Sequence, residues 1–261
     1  LVAFAARMIA LLSDIHSNVE ALTACLQEVE RLGCKRILCL GDVIGYGPQP
    51  RDTLRTIMQR CEFSLLGNHE HGAMFYASDF NPRARAAIDW TRDQLSRRDC
   101  PRDENMRFWN YLDQMKKEHR EASMLFVHGS PRDPVREYLV PRDALDKAKM
   151  DECFAKMGDQ KLCFVGHSHV PGVFLRSGTF LLPADIGMAW QVTEPAMVNI
   201  GSVGQPRDGD PRASFVTYDG DGTSGTVRFH RLAYDVEATM AKIRAIPELP
   251  DYLAERLAQG R

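Results

Sequence analysis

Five apolar runs in this chain each stop abruptly at residues able to bind metal, and that repetition constrains the fold more than any other feature. The plainest case is Leu162-Cys163-Phe164-Val165, which ends at Gly166 and is followed by His167-Ser168-His169. Met8 to Leu12 leads in the same way to Ser13-Asp14-Ile15-His16-Ser17-Asn18, and Ile37 to Leu40 to Gly41-Asp42. Phe63 to Leu66 leads to Gly67-Asn68-His69-Glu70, and Met124 to Val127 to His128-Gly129. A short apolar run cut off by glycine or a polar cluster reads as a buried strand running into a loop. In open α/β sheets, ligands gather at the carboxyl ends of the strands.

The spacing between these runs supplies the helices. Ala21, Leu22, Cys25, Leu26, Val29 and Leu32 recur at helical intervals, with Gly33 beyond the last, and Arg51 to Arg60 also reads as helix. Strand, helix, strand, helix, strand is the rhythm of a parallel α/β sheet. From about residue 72 to 120 that rhythm lapses into a helical, lid-like insertion. Asn81-Pro82 is a helix start there, and Asn105 to Met115 reads as a second helix. A helix from about Asp143 to Met157 precedes the fifth run. Beyond it come short strands at Val173 to Arg176, Thr179 to Leu182, Met197 to Ile200, Ser214 to Asp219 and Gly225 to Leu232. Asp219-Gly220-Asp221-Gly222 marks a hairpin, and the second half reads as an antiparallel or mixed sheet packed on the first. Two short helices, divided by Pro247 and Pro250, fill Val236 to Leu257.

Composition narrows the function classes. A chain of 261 residues with 44% hydrophobic and 26% charged residues fits one large globular domain, here residues 8–261. A net charge of -2 gives no electrostatic case for a nucleic-acid polymer or an anionic membrane as partner. No apolar run reaches the roughly 18 residues of a membrane span. Seven scattered cysteines without a C-x-x-C pair suit a reducing, cytoplasmic setting. Residues 1–7, ahead of Met8, are too short for a signal peptide and read as a non-native or unstructured leader.

The run-end residues Asp14, His16, Asp42, Asn68, His69, His128, His167 and His169 comprise three oxygen donors and five imidazoles. That is too many for one tetrahedral zinc. Mixed carboxylate, amide and imidazole donors suit two five- or six-coordinate first-row ions such as manganese or iron, with zinc possible. Without an ion, so many polar groups at buried strand ends would carry a heavy desolvation cost.

These blocks, Asp14-Ile15-His16, Gly41-Asp42, Gly67-Asn68-His69-Glu70, Val127-His128-Gly129 and Gly166-His167-Ser168-His169, resemble the five-block signature of the calcineurin-like metallophosphoesterases. All five occur in order between Met8 and Arg207. The resemblance implies an α/β fold, a four-layer α/β/β/α sandwich of two mixed sheets flanked by helices. It implies Asp14, His16 and His169 as ligands of a first metal, Asn68, His128 and His167 as ligands of a second, and Asp42 as the bridge. The cofactor is then a pair of transition-metal ions, manganese first, with iron, zinc or nickel as alternatives. His69 takes the place of the histidine that contacts phosphate and protonates the leaving oxygen while a metal-bridging hydroxide attacks in line. Glu70 would orient His69 or a ligand, or else be a solvated turn carboxylate.

Gly41 to Pro48 and Asn199-Ile200-Gly201-Ser202-Val203-Gly204-Gln205-Pro206-Arg207 are similar to the small bacterial, single-domain branch of that family. That branch holds phosphodiesterases and asymmetric diadenosine tetraphosphate hydrolases. The similarity implies a small phosphorylated substrate, a nucleotide or dinucleoside polyphosphate, contacted by Asn68, His69, Tyr46, Arg132, Tyr138 and Arg207. A serine/threonine protein phosphatase and a non-catalytic metal-binding scaffold are the alternative readings.

Overall fold

Ile9–Leu12 (β1) sets the architecture, because its four residues divide between two cores. Ile9 and Leu11 face a second sheet, whereas Ala10 and Leu12 face helices, the period-two alternation of a strand buried on both sides. The computed structural model describes residues 8–78 and 80–261. The expected leader, residues 1–7, lies outside the described residues.

After β1 the chain forms α1 (Val19–Arg31), β2 (Arg36–Cys39), α2 (Pro50–Arg60), β3 (Phe63–Ser64) and α3 (Asn68–Met74). The insertion follows as α4 (Pro82–Leu95), α5 (Arg102–Asp113) and the short β4 (Glu118–Glu121), then β5 (Met124–Val127), α6 (Lys147–Met157) and β6 (Leu162–Val165). Six more strands complete the sheets: β7 (Gly172–Leu175), β8 (Phe180–Leu181), β9 (Ala189–Gln191), β10 (Ala196–Asn199), β11 (Ala213–Gly220) and β12 (Gly225–Leu232). The tail is α7 (Val236–Arg244) and α8 (Tyr252–Gln259).

Among the described residues there are two six-stranded mixed sheets, ordered β3-β2-β1-β11-β12-β9 and β4-β5-β6-β10-β7-β8. Between them lies a core that includes Leu11, Leu38, Phe126, Phe164, Val198 and Val216. Outside the first sheet, α1 and α2 pack with Leu22, Leu26, Leu54 and Ile57. Outside the second, Met150, Cys153 and Phe154 of α6 cover Leu125, Cys163 and Val165. This is the expected four-layer sandwich.

The sheets do not divide where the sequence halves divide. The hairpin β11–β12 returns to the first sheet, with Ile9 paired antiparallel to Tyr218, while β5 and β6 belong to the second with β10 beside them. β1 is buried on both faces, so its free edge needs a long partner for its backbone groups, and β11 supplies it. Residues 118–121, read as part of the helical insertion, form β4 instead. Glu-His-Arg-Glu carries no apolar signal, and it is pairing with β5 that makes it a strand, a charged one suited to a sheet edge. The Asn81 cap does form: its Oδ1 accepts from the N–H groups of Arg83 and Ala84.

Phe164 is fully buried between the sheets and stacks on Phe126, ring centroids 5.5 Å apart. Phe164→Ala is therefore expected to lower unfolding free energy by about 3–5 kcal/mol, read from urea denaturation. A loss below about 1 kcal/mol would contradict a tightly packed inter-sheet core.

Candidate metal centre

β1, β2 and β3 run parallel, as do β5, β6 and β10, and the carboxyl ends of both groups meet at one end of the sandwich. Backbone and side chain stitch the two edges together. His128, after β5, hydrogen-bonds through Nδ1 to the Leu40 carbonyl after β2 (3.0 Å), and the His167 N–H donates to Asp14 Oδ2 (3.0 Å). Gly166 permits the approach, since a Cβ there would sit 2.2 Å from Ser13 Oγ and 2.6 Å from Asp14 Oδ2.

All eight run-end residues converge here, and seven of them are almost fully buried, Asn68 being partly exposed. Their donor atoms form three overlapping groups: Asp14, His16 and His169; His16, Asp42 and His69; and Asp42, His128 and His167. His16 Nε2 lies 3.2 Å from His169 Nε2, and His169 Nε2 lies 3.1 Å from Asp14 Oδ1. On the other side, His128 Nε2 is 3.1 Å from both Asn68 Oδ1 and His167 Nδ1. Asp42 Oδ2 stands between the sets, 3.7 Å from His16 Nε2 and 3.3 Å from His128 Nε2.

The outer contacts fix what faces inward. The far ring nitrogens of His16, His128, His167 and His169 meet the carbonyls of Ile44, Leu40, Arg136 and Gln205 at 3.2, 3.0, 3.0 and 2.5 Å. A carbonyl only accepts, so each far nitrogen carries the N–H, and in the neutral rings of His16, His167 and His169 the near nitrogen presents a lone pair. Asp14 and Asp42 likewise each spend one oxygen on a backbone N–H, of His167 and His69, and aim the other at the cluster. Asp14 Oδ1 is buried without a hydrogen-bond donor. Lone pairs facing one another at about 3 Å repel, whereas ligands at right angles about 2.1 Å from a shared ion are separated by about that distance. The residues fit a pair of cations.

Protonation follows the same logic. Burial opposes ionisation of Asp14 and Asp42, but facing imidazoles, His169 and His128 foremost, hold both carboxyls well below the usual range. Burial drives His16 and His169 toward neutrality, His167 down to about 3 and His69 down to about 4. His128 goes the other way: burial works against its charge, yet Asp42 pushes it up to about 9. A cation bound to Asp42 would take over that positive charge and release the proton.

His69 differs from its neighbours. Among the described residues no carbonyl pins its ring, its Nδ1 is buried without a partner, and it packs edge-on to His16 and against Tyr46 at 4.3 Å. Gly45 makes room for it, since a Cβ there would meet His69 Nδ1 at 2.1 Å.

Beside the cluster opens a cavity of about 190 Å³ whose walls include Tyr46, Asn68, Phe80, Arg136, Tyr138 and His167. Tyr138 stacks on His167 with centroids 3.7 Å apart. Arg207 sits near the Tyr46 ring. Arg132 is placed elsewhere, paired with Glu137 (3.2 Å) and Glu152 (2.9 Å), and Arg136 is the arginine in the wall. The insertion contributes Phe80 and the N-terminal end of α4, while the rest of α4 packs on α2, α5 and the tail helices.

Several residues that matter were not legible as such. Of the roles expected for Glu70, the ligand-orienting one fits and the solvated turn carboxylate does not: fully buried, it accepts from the N–H groups of Asp42 (2.8 Å), Gly67 (3.0 Å) and Ile44 (3.1 Å). Asn199 donates to the Gly166 carbonyl (2.7 Å), and Ser202 Oγ donates to the Asp14 carbonyl (2.8 Å). The Asn199–Arg207 block thus frames the metal-facing loops. Glu70→Ala would strand three buried N–H groups, so it is expected to cost about 2–4 kcal/mol of stability and about ten- to a hundredfold in metal affinity. Metal titration of the folded variant checks this, and wild-type affinity would show that Glu70 does not position Asp42.

Comparison with known proteins agrees with this geometry. Residues 8–223 match the calcineurin-like phosphoesterase superfamily domain. An uncharacterized protein of Methanocaldococcus jannaschii is 36% identical over 97% of this chain and 98% of its own. A crystal structure of a metallophosphoesterase from Sphaerobacter thermophilus is 35% identical, covers 98% of this chain and 100% of that one, and superposes with a TM-score of 0.81. A hypothetical protein from Pyrococcus horikoshii shares the fold at 18% identity and a TM-score of 0.75, over 97% and 98% of the two chains. With its paired donor sets at the meeting edges of two sheets, the chain belongs to the calcineurin-like phosphoesterase superfamily.

Proposed function

We propose that this chain is a two-metal phosphoesterase acting on a small phosphorylated molecule, with a nucleotide or dinucleoside polyphosphate favoured. The observation that carries the reading is the pair of inward-facing acceptor sets sharing Asp42, next to one imidazole left unpinned. Asp14, His16 and His169 would hold one ion, Asn68, His128 and His167 the other, and Asp42 both. Manganese is favoured, with iron, zinc or nickel as alternatives. Bound ions of this kind supply hydroxide at neutral pH and offset charge on phosphoryl oxygens.

The chain's own residues do the rest. His69, whose ring is held only by packing, is neutral when the cavity is empty and would take up the proton it gives to the departing oxygen once an anionic phosphate lies beside it. Asn68 Oδ1 faces the second donor set, and its side chain lines the cavity. Tyr46 and Tyr138 offer flat surfaces to an aromatic group beside the phosphate. A cavity of about 190 Å³ walled by Phe80 and Tyr138 suits a compact substrate better than a folded phosphoprotein. A cytoplasmic setting goes with this reading, as all seven cysteines are free thiols.

Two variants test the assignment. Asp42→Asn is expected to lose metal and hydrolysis together, measured by elemental analysis and turnover of p-nitrophenyl phosphate with added manganese. His69→Ala should retain both ions and slow hydrolysis about 10²–10⁴-fold for esters with poor leaving groups, less for p-nitrophenyl esters. Equal slowing of both ester classes would remove His69 as the proton donor. Protein shown to hold two ions yet inert toward every ester and nucleotide would be a scaffold.

A further inference from the structure

The last helix brings a second arginine to the rim of the cluster. Arg256 of α8 and Arg207 both approach the Tyr46 ring, with Cζ 5.9 and 5.8 Å from its centroid. Tyr46 packs on His69, the proposed proton donor, and the Arg207 charge acts on His69 itself. Other arginines of this chain are satisfied by carboxylates, as Arg36, Arg51 and Arg132 are. Arg207 is not, among the described residues. Arg207 donates through Nη2 to Gln205 Oε1 (2.9 Å), and its Nε is buried with no acceptor. Arg256 donates through Nε to a main-chain oxygen of Arg261, the last residue of this sequence and there a carboxylate oxygen, and lies over the Tyr252 ring at 5.4 Å. Burial, then the neighbouring Arg207 charge, lowers the Arg256 pKa. Both arginines also act on the Tyr138 hydroxyl. Holding two like charges together, with no carboxylate on Arg207 and only a main-chain oxygen of Arg261 on Arg256, opposes folding, and an anion between them reverses the sign.

We propose that Arg207 and Arg256 form an anion subsite beside the metal centre, one that holds a second phosphoryl group of the substrate on the leaving side. The substrate is then a phosphoanhydride with at least two adjacent phosphoryl groups. The inference rests on the phosphoesterase reading. In the step it implies, a water oxygen bonds to one phosphorus, and the bond from that phosphorus to the bridging oxygen breaks. The electron pair stays on the bridging oxygen of the departing phosphate. Water's protons end on the two products or in solvent.

ADP and AMP differ only by the second phosphoryl group and serve as probes. Calorimetry on manganese-loaded and on chelator-treated protein, with kcat/KM for each nucleotide, is compared between wild type and Arg256→Gln. Chelation of free metal is common to both proteins and cancels. Wild type is expected to bind ADP about tenfold or more tightly than AMP, one charge-assisted contact's worth. Arg256→Gln should shrink that ratio about tenfold, and Arg256→Lys should keep part of it. Arg207→Gln, in a loop rather than on α8, makes the same prediction should the α8 variant fail to fold. An ADP-to-AMP ratio unmoved by either substitution, or no preference in wild type, would overturn the subsite. An ADP preference without turnover of any ester or anhydride would sink the phosphoesterase reading and keep the subsite. Turnover of esters without the preference would do the reverse.

Discussion

The rest of the structure depends on four imidazoles whose outer nitrogens are tied to backbone carbonyls. Each tie turns the other ring nitrogen inward, and the ties run to three loops, to Leu40 and Ile44 after β2, Arg136 after β5 and Gln205 after β10. The cluster so formed is mostly acceptor: Asp14 Oδ1, Asp42 Oδ2, Asn68 Oδ1 and the inner ring nitrogens of His16, His167 and His169. Such a set repels itself and is buried, where repulsion is least screened. It persists because strong neighbouring elements hold it, and it makes physical sense only around positive charge.

Those holding elements are visible in the backbone. Asp14, His16, Asp42, His167 and His169 all adopt left-handed φ, between 48° and 64°, as do Ser17 and Tyr46. For a residue with a Cβ that conformation costs about 1–2 kcal/mol, and several together are sustained only where the surroundings over-determine them. Glu70 does this for the loops after β2 and β3, and Asn199 and Ser202 do it for those after β6 and β1. The strand cores behind them, with Leu11, Phe126 and Phe164 between the sheets, supply the rigidity against which the loops are bent.

Much of this was legible in the sequence. An apolar run ending in Asp, Asn or His announces both a buried strand and an aimed ligand, so the eight cluster residues could be read before any coordinates. The hidden parts share a different character. β4 has no apolar pattern and exists through its pairing with β5. The return of β11–β12 to the first sheet is a choice of partner, which local periodicity does not encode. Glu70 acts through backbone N–H groups, and its letter looks the same in a solvated turn. Arg132 and Arg136 are one helical turn's spacing apart, and composition does not tell which faces the cavity and which meets Glu137 and Glu152.

Metal-facing and substrate-facing residues also come from different parts of the chain. Strand ends furnish the donors, whereas the cavity draws on the insertion through Phe80, the loop after β5 through Arg136 and Tyr138, and the rim on α8 through Arg256. A change in the insertion or in α8 alters the cavity or its rim without touching the ties that orient the imidazoles, whereas the loop after β5 also supplies the Arg136 carbonyl that ties His167. Tyr46 touches both systems, packing on His16 and His69 while lying near both arginines. It holds left-handed φ, and the neighbouring Gly45 leaves space for the His69 ring. Orientation of the unpinned imidazole is thus coupled, through one aromatic ring, to whatever occupies the arginine rim.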